Sequence, residues 1–297
     1  MNITEPILDF LESVSKNGIP RRVESRAKCC VADALHAILL ATDSDTAKNL
    51  WYYQSPDLPL GSCSMIGRQQ TTGPEGAALY NSSLAAVHEI DDVHYDTSLH
   101  PGAVIVPAAL ATAQYAKSDE KHFLSAIAAG YEINVRLSCA AGNRHYHYFH
   151  ASGTCGAIGA AVASGIVLGL NRIQMQNAIG IAATSASGLW EGITQEAVPV
   201  KHLHLGMAAE RGIRSARLAA LGWPGAAAAI EGPKGWLAAL AQSGPHAGNE
   251  DAGEQRLHHI LTEDLGTAWA IERNIYKRYP FCLGAAEPLE GLSLIHI

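Results

Sequence analysis

Residues 151–170, ASGTCGAIGAAVASGIVLGL, form a run of twenty residues without a charge. A run of this length is long enough to span a bilayer. However, Gly, Ala, Ser and Thr dominate it, and only six of its residues are bulky aliphatics. Small residues allow helices to approach one another closely, and a segment with so few large apolar side chains inserts poorly into a membrane. We therefore predict a buried central helix and no membrane partner.

Helical patterns continue on both sides of this segment. Apolar residues recur on one face of residues 4–15, as in an amphipathic helix. Residues 205–222 also have a helical pattern, which ends at Gly222, a residue type that commonly follows a helix. Strand signals are nearly absent before residue 270. The pattern predicts a mainly α fold, with a region of different character beginning near Ile271.

The composition excludes several classes of protein. The chain has 297 residues, 48% of them hydrophobic and 16% charged, which is enough for a large core. A net charge of −7 argues against a nucleic-acid partner, because such proteins carry a basic face. The six Cys residues show neither a metal-type CxxC nor a disulfide framework, and the N-terminus does not resemble a signal peptide. We predict a cytoplasmic location.

Ionisable residues are concentrated in VHEIDDVHYDTSLHPGAVIVPAAL, residues 87–110. A surface loop would scatter such groups among Ser, Lys and Gly, whereas this segment returns at once to apolar sequence. We therefore predict that it contributes to a buried site. Within thirteen residues the segment holds His88, Glu89, Asp91, Asp92, His94, Asp96 and His100.

Three later segments carry cationic or imidazole groups. They are NRHYHYFHASGTCG (143–156), VPVKHLHLGMAAERG (198–212) and NIYKRYPFC (274–282). We expect the first two to precede helices, and a helix N-terminus favours anions. If the four segments converge in the fold, they predict a site for a small anion with several carboxylates or phosphates. The groups concerned are His145, His147, His150, Lys201, His202, His204, Lys277, Arg278 and Tyr279.

Other interpretations of these groups remain open. His and Asp can bind zinc, iron or manganese, although no HExxH motif occurs and the spacing is irregular. No G-x-S-x-G motif indicates a serine nucleophile. Asp91 or Asp92 could simply cap a helix, and Lys201 could lie in a solvated turn. We expect His145 and His147 to be surface or dimer-contact groups.

Five segments, in chain order, resemble the MmgE/PrpD family of 2-methylcitrate dehydratases, cis-aconitate decarboxylases and iminodisuccinate epimerases. The resemblance extends from residue 1 to about residue 292. It rests on EIDDVHYDTSLHPG, on GYEINVRL followed by YFHASGTCGAIGAAVASGIVLGLN, on AIGIAATSASGLWE, on KHLHLGMAAERGIRSARLAALGWPGAAAAIEGPKGW and on YKRYPFC.

The resemblance implies a large all-helical domain over residues 1–268. It also implies that residues 269–297 begin a smaller α+β lid domain, which is incomplete in this chain. The active site would lie between the two domains. Further implications are a homodimer, a small-molecule carboxylate substrate, and lyase or isomerase chemistry with no cofactor and no metal.

The resemblance also assigns site residues. The catalytic group would comprise Asp91, Asp92, His100, His150 and Lys201, with His100 or His150 transferring the proton and an aspartate orienting it. Such chemistry builds negative charge on an anionic substrate, which preorganised cations stabilise. The resemblance gives His204 and Lys277 as substrate-binding residues, and we add Arg278 and Tyr279, which lie beside Lys277 in the sequence.

The sequence departs from the family pattern at two informative positions. Glu89 stands where the pattern often has Asp, and Ala286 stands where it commonly has His. We expect a carbon–oxygen lyase that dehydrates 2-methylcitrate or a related hydroxy acid in propionate metabolism. The alternatives are a cis-aconitate decarboxylase, an epimerase of the iminodisuccinate type, and an inactive helical dimer or scaffold that lacks the lid.

Overall fold

The computed structural model describes residues 2–97, 99–195, 198–241 and 250–281. Within these ranges the chain is mainly α-helical and its strands are two residues long. The helices are α1 (Thr4–Asn17), α2 (Arg21–Leu40), α3 (Asp45–Gln54), α4 (Pro74–Ala85), α5 (Pro101–Ala116), α6 (Glu120–Tyr148), α7 (Ala151–Val167), α8 (Arg172–Ser185), α9 (Glu191–Thr194), α10 (Val198–Ala220), α11 (Trp236–Leu240) and α12 (Glu250–Thr262). The strands are β1 (Cys63–Ser64), β2 (Thr71–Thr72), β3 (Val93–His94) and β4 (Asn274–Ile275).

Helix α7 lies at the centre of the helical layer, and every one of its residues is buried. It packs against α5, α6, α8 and α10. Glycine makes this close packing possible, because a Cβ on Gly212 of α10 would lie 2.4 Å from the Cβ of Ala160. The predicted buried central helix is therefore confirmed. No helix in the described part of the chain is long and apolar enough to cross a membrane.

The end of the described chain returns to the acidic segment. Strand β4 pairs antiparallel with β3, with Ile275 opposite Val93 and Asn274 opposite His94. Just before β4, Trp269 and Ile271 join the hydrophobic core. This pairing carries the residues after β4 towards residues 89–92. Residues 282–297 of the predicted second domain, including Ala286, lie outside the described residues.

Two predictions about local structure were wrong. Helix α10 is described from Val198, seven residues earlier than predicted, so Lys201 and His204 lie within the helix and not before it. Pro199 is compatible with this start, since proline is tolerated in a first turn. His145 is buried and not on the surface: its Nε2 lies 2.9 Å from the Thr154 hydroxyl, and its ring stacks on Phe149.

Candidate active site

The acidic segment runs from the end of α4 to the start of α5. Glu89 adopts a left-handed backbone conformation with a φ of 53°, which turns the chain sharply after α4. The segment then passes through Asp91 and Asp92, both buried, before it reaches His100, which stands directly before the first residue of α5. The backbone N–H of His100 donates to the Ser152 hydroxyl on α7 at 3.1 Å, which joins this segment to the central helix.

Asp91 and His100 form a buried pair. Nδ1 of His100 lies 3.0 Å from Asp91 Oδ2 and also 3.0 Å from the backbone carbonyl oxygen of Asp92. A carbonyl can only accept, so Nδ1 carries a proton and Nε2 is left for another partner. Burial opposes ionisation of Asp91, but the charges of His100 and Lys277 outweigh it and lower the pKa of this carboxyl. Asp91 is therefore a buried carboxylate beside the imidazole of His100, whose Nδ1–H donates to the Asp92 carbonyl.

Two lysines converge on Glu89. The Lys201 ammonium forms an ion pair with Glu89 Oε1. The Lys277 ammonium donates to the Glu89 carbonyl oxygen at 2.8 Å and lies 3.6 Å from both Glu89 Oε2 and Asp91 Oδ1. The side chain of Lys277 is only 3% exposed. The structure thus brings three of the four predicted segments together around two carboxylates.

His150 brings the fourth segment to the same place. It is buried before the first residue of α7, and neither of its ring nitrogens has a hydrogen-bond partner. Its ring lies 5.2 Å from Trp190 and 5.7 Å from His204, centroid to centroid. Burial lowers the pKa of His150 well below its ordinary range, and the nearby charges of His100 and Lys201 add to this effect. Buried polar groups without partners are exceptional in folded proteins, and beside a cluster of charged groups His150 marks a candidate ligand position.

Asp92 differs from Asp91 in its surroundings. Its carboxylate is fully buried and accepts hydrogen bonds from the Tyr131 hydroxyl at 2.6 Å, the Gly102 N–H at 2.9 Å and the Asn274 amide. Burial and the neighbouring Asp91 charge raise the pKa of Asp92. The structure does not bring this carboxylate to His100, whose contact with Asp92 is to the backbone carbonyl. Asp92 ties α5, α6 and β4 together.

Asp33 on α2 lies behind this segment. Its Oδ2 accepts the Asp92 backbone N–H at 3.0 Å. Burial, together with the charges of Asp92 and Asp91, raises the pKa of Asp33 from 3.8 to about 7, and Lys277 only partly offsets this effect. The position of Asp33 is not predicted from the sequence, because one acid in a long amphipathic helix gives no signal of its burial.

We expect Asp33→Asn to stabilise the protein at neutral and alkaline pH. The raised pKa of Asp33 means that this group stabilises the fold below about pH 4 and loses that contribution as the pH rises through about 7. Allowing for partial solvent exposure, the gain in unfolding free energy at pH 8 should be about 1–2 kcal/mol. The melting temperatures of the wild type and Asp33→Asn at pH 5 and pH 8 test this expectation. Asp57→Asn, which changes an exposed acid, is the control. An equal difference between Asp33→Asn and wild type at both pH values would contradict the expectation.

Of the remaining predicted residues, His204 lies in this cluster, whereas Arg278 and Tyr279 follow Lys277 along the chain. His204 is half-buried on α10 with its Nδ1 unpartnered, and its ring faces Gly188 and His150. Arg278 is exposed, and its guanidinium carbon lies 5.5 Å from the centroid of the Tyr279 ring. The structure therefore places His204 in the cluster and directs Arg278 towards solvent. Among the described residues, no group of three or more His, Cys, Asp or Glu side chains has an arrangement that could hold a metal ion.

Two contributions to the cluster are not predicted from the sequence: the ion pairs of Glu89 and the ring of Trp190. Glu89 lies in the predicted acidic segment, and its place just before Asp91 and Asp92 was a usable signal. Trp190 lies in a turn between α8 and α9, and only the fold brings its ring against His150. No local pattern predicts this contact.

Comparison with known proteins identifies the family that the chain resembles. Residues 5–247 match the model of the MmgE/PrpD N-terminal domain. A cis-aconitate decarboxylase-like protein of Aspergillus oryzae is 28% identical over 98% of this chain and 62% of its own length. Cis-aconitate decarboxylase of Aspergillus terreus is 27% identical over 99% of this chain and 64% of its own.

The human cis-aconitate decarboxylase is 27% identical to this chain over 94% of the chain and 56% of its own length. The chain thus spans about 60% of the length of these curated relatives. The domain match covers most of the chain and includes the acidic segment, His150 and Lys201. It follows that this chain belongs to the MmgE/PrpD family.

Proposed function

We propose that this chain carries the catalytic groups of a cofactor-free lyase that decarboxylates cis-aconitate or a closely similar tricarboxylate. The observation that supports the proposal is the meeting of Lys201, Lys277, His100 and His150 around two carboxylates. Dehydration of 2-methylcitrate, the main expectation from sequence, has no specific support among the relatives. Their names favour the decarboxylase alternative. The homodimer and the cytoplasmic location remain predictions.

The two lysines provide the charge that the reaction needs. When a carboxylate group leaves as CO2, its carbon–carbon bond breaks and the electron pair stays on the substrate. The substrate already carries negative charge, so preorganised cations beside it stabilise the transition state. Lys201 and Lys277 enter the cluster from α10 and from the chain after β4, and in this proposal each binds a substrate carboxylate.

The two histidines provide the proton. After CO2 leaves, the electron pair must receive one proton at carbon. His100 has its Nδ1 bound to the Asp92 carbonyl beside Asp91, so its Nε2 is free to face the substrate. Burial lowers the pKa of His150, and both of its ring nitrogens lack hydrogen-bond partners. We propose that one of the two delivers the proton and that the other contacts the substrate. In this scheme Asp91 orients His100, and Asp92 supports the segment without contacting substrate.

Incubation of the protein with cis-aconitate, citrate and 2-methylcitrate tests the proposal. We expect one CO2 released per cis-aconitate consumed, with an unsaturated dicarboxylic acid as the product by NMR. A hydroxy acid formed without CO2 would identify a hydro-lyase, and turnover of 2-methylcitrate in preference to cis-aconitate would restore the dehydratase interpretation. The absence of turnover with all three acids would favour the scaffold alternative. Lys201→Ala is the control for contaminating activity.

A further inference from the structure

The Glu89 carboxylate lies between the two lysines that the proposed function assigns to substrate carboxylates. Its Oε1 pairs with Lys201, and its Oε2 lies 3.6 Å from Lys277. A second contact fixes the backbone of the same residue, since Lys277 also donates to the Glu89 carbonyl oxygen at 2.8 Å. Both lysines of the cluster are therefore already paired with an acid of the chain itself.

Glu89 is more exposed than the neighbouring acids. Its side chain is 25% exposed, whereas that of Asp91 is 1% exposed and that of Asp92 is buried. The Glu89 backbone is in the left-handed region, which is unfavourable for a residue with a Cβ. By contrast, three donors hold the buried Asp92 carboxylate. Among the three acids, Glu89 is the one whose side chain is partly exposed, so it can move towards solvent and away from Lys201.

A partly buried ammonium needs a counterion when no substrate is bound, because an unpaired buried charge is strongly unfavourable. Glu89 supplies that counterion to Lys201, whose side chain is 13% exposed. A substrate carboxylate could supply the same counterion in the same place. The two carboxylates cannot share the position, since like charges at that distance repel.

We propose that the Glu89 carboxylate occupies the position of a substrate carboxylate, and that an anionic substrate binds by displacing it from Lys201. The inference rests on the proposed function, from which it takes the binding role of Lys201. Glu89 is then a specificity-determining residue: an acid binds only if its carboxylate pairs with Lys201 better than Glu89 does. Monocarboxylates, which have no second carboxylate for Lys277, would not displace it.

Binding of tricarballylate, a saturated tricarboxylate, to the wild type and three variants tests the inference by isothermal titration calorimetry. In Glu89→Gln the competing charge is gone, and we expect the Kd to fall at least tenfold. In Glu89→Asp the charge remains, but the side chain is one methylene shorter and reaches Lys201 poorly, so we expect the Kd to fall about threefold. Glu254→Gln, which removes an exposed acid on α12, should bind as the wild type does.

The Glu89→Asp variant distinguishes displacement of the Glu89 carboxylate from a general effect of its negative charge. If Glu89 acted only through its net charge, Glu89→Gln would bind more tightly and Glu89→Asp would equal the wild type, which would overturn the inference. Equal or weaker binding by Glu89→Gln, or no binding to any of the proteins, would also overturn it. Should Glu89→Gln not fold, as judged by circular dichroism, the Glu89→Asp titration alone decides.

The outcome is distinguishable from that of the proposed function. If the wild type decarboxylates cis-aconitate but the Glu89 variants bind tricarballylate no more tightly, the inference fails and the proposed function stands. If no acid is turned over but both Glu89 variants bind tricarballylate more tightly, the displacement stands and the proposed reaction fails.

Discussion

Replacing His150 with alanine should lower kcat for cis-aconitate by about 10²–10⁴-fold, the usual contribution of a group that takes part in proton transfer. The reason is that the His150 ring is buried with both nitrogens unpartnered, in contact with His204 and Trp190 and near Lys201 and His100. Such an arrangement is unfavourable for the folded protein unless a substrate supplies the missing partner.

Steady-state kinetics of His150→Ala and of a matched control measure the effect. His147 is a suitable control because it is exposed and lies three residues earlier, on α6. His147→Ala should retain kcat within about threefold, since a surface substitution outside the cluster removes no interaction made only in the transition state. A loss of tenfold or less in His150→Ala would reject its assignment to proton transfer or to substrate contact in the transition state.

Replacing Asp92 with alanine should destabilise the protein by about 3–5 kcal/mol, because it leaves three buried donors without an acceptor and each unsatisfied donor costs about 1–3 kcal/mol. The Tyr131 hydroxyl, the Gly102 N–H and the Asn274 amide would all lose their acceptor. These donors come from α6, α5 and β4, so the substitution loosens three elements at once.

Denaturant unfolding measures this loss of stability, and a substitution with a smaller expected effect serves as a control. Tyr131→Phe removes one of the three hydrogen bonds and should cost about 1–2 kcal/mol. Asp57→Asn, which changes an exposed acid, should lie within about 0.5 kcal/mol of the wild type. If Asp92→Ala unfolds at the wild-type denaturant concentration while kcat falls by orders of magnitude, then Asp92 belongs to the chemistry and not to the scaffold.

The sequence was sufficient for the fold class because the relevant signals are local. Residues 151–170 consist mainly of small side chains and contain no charge. This local pattern predicts a central helix without information from the remainder of the chain. The clustering of acids and histidines at 87–110 likewise indicated a site. Recognisable motifs contain Lys201, Lys277 and His150, and the sequence therefore predicted that these residues converge on that segment. The structure brings them close to it.

The roles of adjacent residues were not predictable. Asp91 and Asp92 have the same side chain, yet one faces His100 and Lys277 and the other faces Tyr131 and Asn274. Neighbouring residues in an extended segment point in opposite directions, and only the packing of α6 and β4 determines which side is the site. Tertiary contacts also decided the burial of His145, because the hydroxyl that it meets belongs to α7.

The sequence also does not predict which charged residues form ion pairs with one another. The sequence predicts that Lys201 takes part in a carboxylate site, but in the fold its ammonium already forms an ion pair with Glu89. Glu89 and Lys201 lie 112 residues apart, and no spacing rule connects residues at such a separation. The same holds for Asp33, whose pKa is raised by burial and by the charges of Asp92 and Asp91, which α2 meets only in the folded protein.

A crystal structure of the protein with tricarballylate bound tests most directly whether the four segments form one carboxylate site. We predict one ligand carboxylate in contact with the Lys201 ammonium in place of Glu89, a second in contact with Lys277, and the His150 ring against the ligand. A ligand bound elsewhere, with the Glu89–Lys201 ion pair intact and His150 uncontacted, would contradict the proposed site.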